Sequence, residues 1–516
     1  MTLHLQLMTD RHPVPDVPAI YFVEPTLENI DRIILDHRAG LYSYMHLNFS
    51  SAISTKLLER LAGGVSQANT SVSQISRVVD RYCSFVSLSS CMYSLNLKST
   101  YSFLATTVND SEIEGKLDQI SLGIVSLIQT SCQTLPVIRA PGNAAAGLIA
   151  QLVSKRLSTC DFFSSQSTGG SSDPSHAQRP LLIILDRDMD LSPMVAHGWS
   201  YESLMQDLLS FGLNKISTGG KTWDIDVSDV FWQKISHLPF PEAATLVNEQ
   251  VGEFSRMRTT VSDGHISSAM SNLPQMTDLK KTIDMHTTIA TTLLNTIKER
   301  DIDKLYEIET DLTRDGIDKL ISNEKIRNID KIRLIIFAIT RKNDLINSAK
   351  LDSLISTLSS CPEIGAVKYI RSMLGLRNLS SSTPPPAARP SIFGDLADKV
   401  KSRGEGLLAA GMKNLKTILP LNDKLVFTNI VQQLADNTSN TVCDSFGYFD
   451  PLSQGGPRVR GSFRQIFVCV VGGGSILEYE NLTEWASKSQ RPNIVYGATD
   501  FVTPDAFVAE LATCHR

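Results

Sequence analysis

Apolar positions along this chain come in two rhythms. Some form short blocks without polar alternation: Ala19–Val23, Leu181–Leu185, Gln465–Val471 and Asn493–Gly497. Such blocks predict strands buried on both faces, as in a parallel sheet covered by helices. Others recur every three or four positions and predict helices. After Ala19–Val23, Pro25 and the N-cap candidate Thr26 precede Ile30, Ile33, Ile34 and Leu41 at helical spacing, a strand-helix unit. Residues 57–82 read as helical, through Leu57, Leu58, Leu61 and Ala62 and then Ile75, Val78 and Val79.

A second α/β region is expected from about residue 100. It holds Leu135–Arg139, the block Leu181–Leu185, and a helix with Tyr201, Leu204, Met205, Leu208 and Leu209 on one face. Residues 214–228 form a break around Gly219 and Gly220. From about 230 to 380 strand signals vanish. Leu279, Ile283, Ile289, Leu293 and Ile297 follow one helical stripe, and Ile332, Ile335, Ile336 and Ile339 another. Ser380–Pro390 has the composition of a surface linker, and 392–419 is Gly-interrupted and weakly amphipathic. The α/β pattern then returns and ends on a helix opened by Thr503 and Pro504. The helical middle is therefore expected to be inserted between two halves of one α/β domain.

Size and charge narrow the function classes. The 516 residues suggest about three domains. A net charge of −5 offers no basic excess for nucleic acid. The longest apolar runs, such as Ile335–Ile339, fall far short of the ~18 residues of a spanning helix, and the N-terminus does not read as a signal peptide. Eight cysteines are scattered without a Cys-x-x-Cys pair, which indicates neither a zinc nor a thioredoxin motif. Reduced thiols in the cytosol are expected, with Cys469 a small core residue.

The densest candidate chemistry is the polar knot Asp186, Arg187, Asp188 and Asp190, directly after Leu181–Leu185. Ligands of open α/β sheets bind outside the carboxyl ends of strands. Asp186, Asp188 and Asp190 have the donors for Mg²⁺, and Gly472–Gly474 could cradle a phosphate, which together would make an α/β phosphotransferase or phosphatase. The partner set is missing. Leu477 stands where the dinucleotide fingerprint needs Gly or Ala, and Met189 and Leu191 supply no hydroxyl beside the acids. Gly220-Lys221-Thr222 mimics the end of a P-loop, but Lys215 replaces its first glycine. A structural role outweighs a metal site for the acids, with Arg187 pairing locally and a carboxylate capping the next turn. Histidines 197, 237 and 286 stand alone; His197 sits in what reads as a packed turn and His286 in a helical stripe.

Five stretches resemble the SM (Sec/Munc) family of SNARE-assembly chaperones. Pro15–Ile30 is similar to its first domain and Leu181–Trp199 to its central-domain strand. Phe231–Ala243, Phe467–Leu482 and Val495–Thr499 resemble the Sly-type branch, which acts between endoplasmic reticulum and Golgi. The resemblance spans nearly the whole chain. It implies an α/β plus α fold: an arch-shaped three-domain protein with two parallel-sheet α/β domains and a large helical insertion. Domain one would cover 1–98 and the first half of domain two 99–220. Domain three would cover 221–420, with the linker near 380–390, and the second half of domain two 421–516.

The resemblance further implies a cytoplasmic protein without catalysis, cofactor or metal, peripherally associated with ER and Golgi membranes. Its partners would be a syntaxin-type SNARE and the assembling SNARE bundle. In Sly-like proteins an N-terminal peptide of the syntaxin docks on domain one; the matching surface here is Leu58, Leu61, Ala62, Ile75 and Val78. Bottom-up, these read as i, i+3, i+4 positions on two helices, able to form an apolar groove for a peptide or simply core. The helical pair of about 240–300 resembles the part that templates membrane SNAREs. Two departures are expected to matter. The family has a strand and helix ahead of the position of Met1, so domain one should be incomplete and carry an exposed sheet edge. The loop near Asp263–Gly264 is short where the branch has a regulatory segment.

Overall fold

The structure, a computed structural model, describes residues 4–67, 71–107, 109–142, 144–160, 179–209, 211–262, 266–342, 345–380, 424–436, 444–452, 463, 465–489 and 493–515. The linker near 380–390 beyond Ser380, the stretch 392–419 and the loop at Asp263–Gly264 lie outside them. The chain opens with β1 (Ala19–Val23), α1 (Leu27–Arg38), β2 (Met45–Phe49), α2 (Thr55–Ser66) and β3 (Ile75–Asp80). There follow β4 (Val86–Ser87), β5 (Met92–Ser94), α3 (Thr100–Thr106), α4 (Asp110–Ser131), β6 (Val137–Pro141), α5 (Ala145–Ser158) and β7 (Leu181–Asp186). Next come α6 (Ser192–Val195), α7 (Tyr201–Leu209) and the hairpin β8 (Lys215–Thr218) and β9 (Lys221–Asp224). A helical stretch then runs through α8 (Val230–Ile235), α9 (Phe240–Ser262), α10 (Ile266–Arg300), α11 (Ile302–Thr310), α12 (Arg314–Ile321), α13 (Asn328–Arg341), α14 (Ser348–Thr357) and α15 (Ile364–Ser380). The chain closes with α16 (Val426–Asp436), β10 (Phe446–Phe449), β11 (Gln465–Val471), α17 (Ile476–Lys488), β12 (Asn493–Ala498) and α18 (Pro504–Thr513).

The larger sheet has seven strands in the order β10-β6-β7-β11-β12-β5-β4. Its interior pairs are parallel, and β10 and β4 close the two ends antiparallel. The two apolar blocks of strongest sequence signal, β7 and β11, lie side by side at its centre. Successive strand residues point to opposite faces, and each face here has its own core. Leu181, Ile183 and Leu185 join Val468, Val470, Phe427 and Tyr479 on one face. Leu182 and Ile184 join Phe467, Cys469, Ile124 and Ile149 on the other. Burying each such side chain stabilises by roughly 1.5–3 kcal/mol, which is why a continuous apolar run has no solvent-facing alternate.

The smaller sheet, β1-β2-β3, is parallel and three-stranded. Thr26 caps α1 as its position predicts, accepting from the Asn29 N–H at 3.3 Å. Ile30, Ile33 and Ile34 of α1 and Leu61 and Val65 of α2 cover one sheet face. The helices approach closely at Gly64, where a Cβ would come within 2.5 Å of the Ile34 side chain.

Three expectations are corrected here. Residues 57–82 are not one helical region: α2 ends at Ser66 and Ile75–Asp80 is the edge strand β3. A register shift pairs Met45 with Ile75 but His46 with Arg77, leaving Ser76 as an extra residue. That bulge resets the period-2 alternation and gives Ile75, Val78 and Val79 a helix-like spacing. Strands β4 and β5 pair in the larger sheet, β5 with β12. The chain thus leaves the small sheet after Asp80, earlier than the boundary at 98. The break at 214–228 is in fact an ordered hairpin turning at Gly219 and Gly220, both at positive φ.

Within the helical stretch, the predicted stripes are buried except at Leu279, which is half-buried. Ile289, Leu293 and Ile297 pack with Val247 and Trp232, and Ile332, Ile335, Ile336 and Ile339 with Val367 and Phe507, while Ile283 is also buried. His286 is a core histidine: it stacks on Trp232, 6.1 Å between ring centroids, its Nδ1 is 3.1 Å from the Tyr201 hydroxyl, and burial pushes its pKa down to about 4. Buried ion pairs join this stretch to the central sheet region. Arg333 grips both Asp207 carboxylate oxygens at 2.8 and 2.7 Å and donates to the Val195 carbonyl. The His197 ring lies 2.7 Å from Glu309, and within the helical stretch itself Arg300 pairs with Asp330 at 2.7 Å.

Candidate partner-binding surfaces

The polar knot behind β7 is built into the framework. Asp186 accepts the Ala146 N–H at 3.0 Å, tying β7 to the start of α5. Burial, against that hydrogen bond, pushes its carboxyl up to about 6. Arg187 turns inward, wholly buried, to pair with Glu478 of α17 at 2.7 Å, its guanidinium 4.6 Å from the centre of the Phe427 ring. Asp188 accepts the Tyr101 hydroxyl at 2.6 Å. Asp190 accepts the Ser192 N–H and hydroxyl and so opens α6. Each charged group of the motif has a framework partner: Asp190 caps the next turn as expected, whereas Arg187 pairs not locally but with Glu478, distant in the sequence.

The Gly472–Gly474 turn is equally committed. Gly472 and Gly473 hold φ of 103° and 116°, which other residues adopt only with strain. The Gly472 N–H donates to the Thr499 hydroxyl at 3.1 Å. A Cβ on Gly472 would lie 2.9 Å from that of Arg187, and one on Gly474 2.6 Å from that of Ala498. The glycines are there for close strand-to-helix packing. Among the described residues no three His, Cys, Asp or Glu side chains are gathered as a metal site.

The five residues of the expected peptide surface separate by depth. Leu58 and Ala62 lie one turn apart on the exposed side of α2, and Val78 is exposed on β3. Register aligns Val78 with Leu47 and Tyr21, so it stands at the outer edge of the face that α1 and α2 cover. Ile75 is half-buried and packs on the small core. Leu61 is 3% exposed and belongs to that core. The pairing of two helices is thereby corrected to a helix and an edge strand, and Leu61 supports the surface from beneath instead of lining it. Val72, in the turn entering β3, is 58% exposed and extends the apolar strip; a lone valine among serines and glutamine gave no periodic signal.

The second expected surface is the helical pair α9–α10. Its base is fixed by Ala243, Ala244 and Val247 against Ile289, Leu293 and Tyr201. Among the described residues no helix is long and apolar enough to cross a membrane.

The model of the Sec1 family matches residues 2–510. The chain belongs to the Sec1 family. Among relatives, the SEC1 family transport protein SLY1 of Arabidopsis thaliana is 33% identical, with 99% of this chain and 87% of the relative covered. Protein sly1 of Schizosaccharomyces pombe is also 33% identical, with 99% and 88% covered. The crystal structure of Sly1p in complex with an N-terminal peptide of Sed5p matches at a TM-score of 0.82 and 30% identity, over 99% of this chain and 86% of that one. The Sec1-family fold thus accounts for both sheets and for the helical stretch between the two halves of the larger one.

Proposed function

We propose that this Sec1-family chain is a SNARE-binding scaffold. It promotes SNARE assembly and membrane fusion in transport between ER and Golgi, works in the cytoplasm at those membranes, and has no catalytic step of its own. The observation that carries the reading is the likeness, along the whole chain, to Sly1p in complex with an N-terminal peptide of Sed5p. Two features support it. The acids of the polar knot are bound to framework partners. The small sheet offers an exposed apolar strip where peptide recognition needs one.

The docking site for an N-terminal peptide of a syntaxin-type SNARE is the α2–β3 strip: Leu58, Ala62 and Val78, flanked by Ile75 and supported by Leu61. The helical pair α9–α10 receives the membrane SNAREs. Titrating the peptide into the chain by calorimetry tests the first assignment. Leu58→Asp and Val78→Asp each lower affinity about tenfold or more while leaving the melting temperature nearly unchanged, because both side chains are already in water. Unchanged affinity in both variants would remove the strip as the peptide site. Leu61→Asp is the control: it puts a carboxylate into the small core and unfolds that sheet, so its loss of binding comes with a loss of structure.

A further inference from the structure

We propose that the cavity between α6, α11, α13 and α17 is a binding site for a small amine with an aromatic body. It is separate from the α2–β3 strip and does not rest on the SNARE reading. Its volume of about 470 Å³ is in the range of sites for small organic ligands. The wall is largely apolar: Trp199, Tyr306, Phe337 and Leu477, with Pro193 and Pro239. Trp199 and Tyr306 stack at 5.4 Å and 17°, a flat surface that suits an aromatic ring.

The carboxylates around the cavity fix the chemistry of the occupant. Glu480 lines the cavity and accepts a hydrogen bond from the Ser200 hydroxyl. Glu484 lines it too, and Glu202 stands behind, 3.8 Å from the ring of His237. Burial, together with repulsion from Glu202 and Glu484, pushes the Glu480 carboxyl upward, so a cation beside it would relieve an unfavourable charge. Glu309 is already occupied by His197, and Glu484 by Lys488, while Arg341 adds a positive charge elsewhere in the lining. Glu480 is therefore the carboxylate left for an ammonium group.

Trp199 is 3% exposed and gives the cavity its ring. An ammonium group and a flat ring together describe an aromatic amine. The lining comes from six separated segments of sequence, so no motif announces the site.

Tyramine is the probe, titrated into the full chain by calorimetry. 4-Hydroxyphenylacetate, which has the same ring and a carboxylate in place of the ammonium, is the control. Saturable binding of tyramine is expected near a dissociation constant of about 1 mM or tighter. Glu480→Gln should weaken it about tenfold or more, and Leu477→Trp, which fills the cavity, should abolish it. No saturable tyramine binding, equal binding of 4-hydroxyphenylacetate, or undiminished affinity in Leu477→Trp would each overturn the assignment. Melting curves establish that the variants fold; if Glu480→Gln does not, the Leu477→Trp titration decides.

Discussion

The two parallel sheets of this protein are made of similar strands and are buried very differently. Every residue of β11 from Ile466 to Val471 is buried, because helices cover both faces of the larger sheet. In β1, Tyr21 is 4% exposed, whereas Ile20 is 76% and Phe22 63% exposed. Helices cover one face only of the smaller sheet. An apolar strand sequence therefore states what a strand tolerates, not how many neighbours it has. The larger sheet is a framework that uses up its side chains, charged ones included. The smaller sheet keeps apolar surface in reserve, and the proposed peptide strip lies there.

If that contrast is right, charge should matter most inside the larger sheet. The Arg187–Glu478 pair is wholly buried, and the Tyr496 hydroxyl also donates to Glu478 at 2.5 Å. Glu478→Gln leaves the guanidinium buried without its counter-charge and should cost about 3–5 kcal/mol in denaturant unfolding. The bidentate Arg60–Asp31 pair between α1 and α2 has comparable geometry but is exposed. Arg60→Ala should change stability little, since water screens such a pair. Comparable losses from both variants would erase the difference between the two regions.

A smaller effect comes from Asp186, at the carboxyl end of β7. Its carboxyl is pushed up to about 6 from an ordinary value of 3.8. Between those values the folded chain holds the proton more tightly than the unfolded one. Stability is therefore greatest below the ordinary value and falls as pH rises through the window up to about 6. Asp186→Asn keeps an acceptor for the Ala146 N–H and has no charge to bury. It should gain about 1 kcal/mol over the parent near pH 7, with the gain shrinking toward pH 4. Other buried acids, Glu202 and Glu480 among them, shape both profiles alike, so the difference between the two curves isolates Asp186. Parallel curves would mean that this end of the sheet is wetter than its packing indicates.

The same contrast explains what could be read from sequence. β7, β11 and β12 were legible because double burial leaves an unbroken apolar run that few alternatives match. The helical middle was legible through stripes such as Ile332–Ile339, and Thr26 and Thr503 through capping chemistry that acts over three residues. β3 was not, because the bulge at Ser76 gives an edge strand the spacing of a helix. β4 and β5 are too short to show a period, and the place of β5 beside β12 depends on pairing with a strand at the far end of the chain. The proposed peptide surface was half legible. The resemblance named its apolar residues, but only the fold separates Leu58 and Val78, which are exposed, from Leu61, in the core.

The finest test uses one residue type on both sheets. Phe467 of β11 is fully buried among Cys469, Ile124 and Ile149, and Phe467→Ala should cost about 3–5 kcal/mol through lost burial and the cavity left behind. Phe22 of β1 lies on the face that α1 and α2 leave open, so Phe22→Ala removes little buried area and should shift stability by no more than about 0.5 kcal/mol. Both are read from the same denaturant titration. The pair also separates two accounts of the open face. If Phe22→Ala is nearly neutral, the face is solvated and the small sheet stands on a single core. If it costs as much as Phe467→Ala, something covers Phe22 in solution, and the small sheet is as much a framework as the large one.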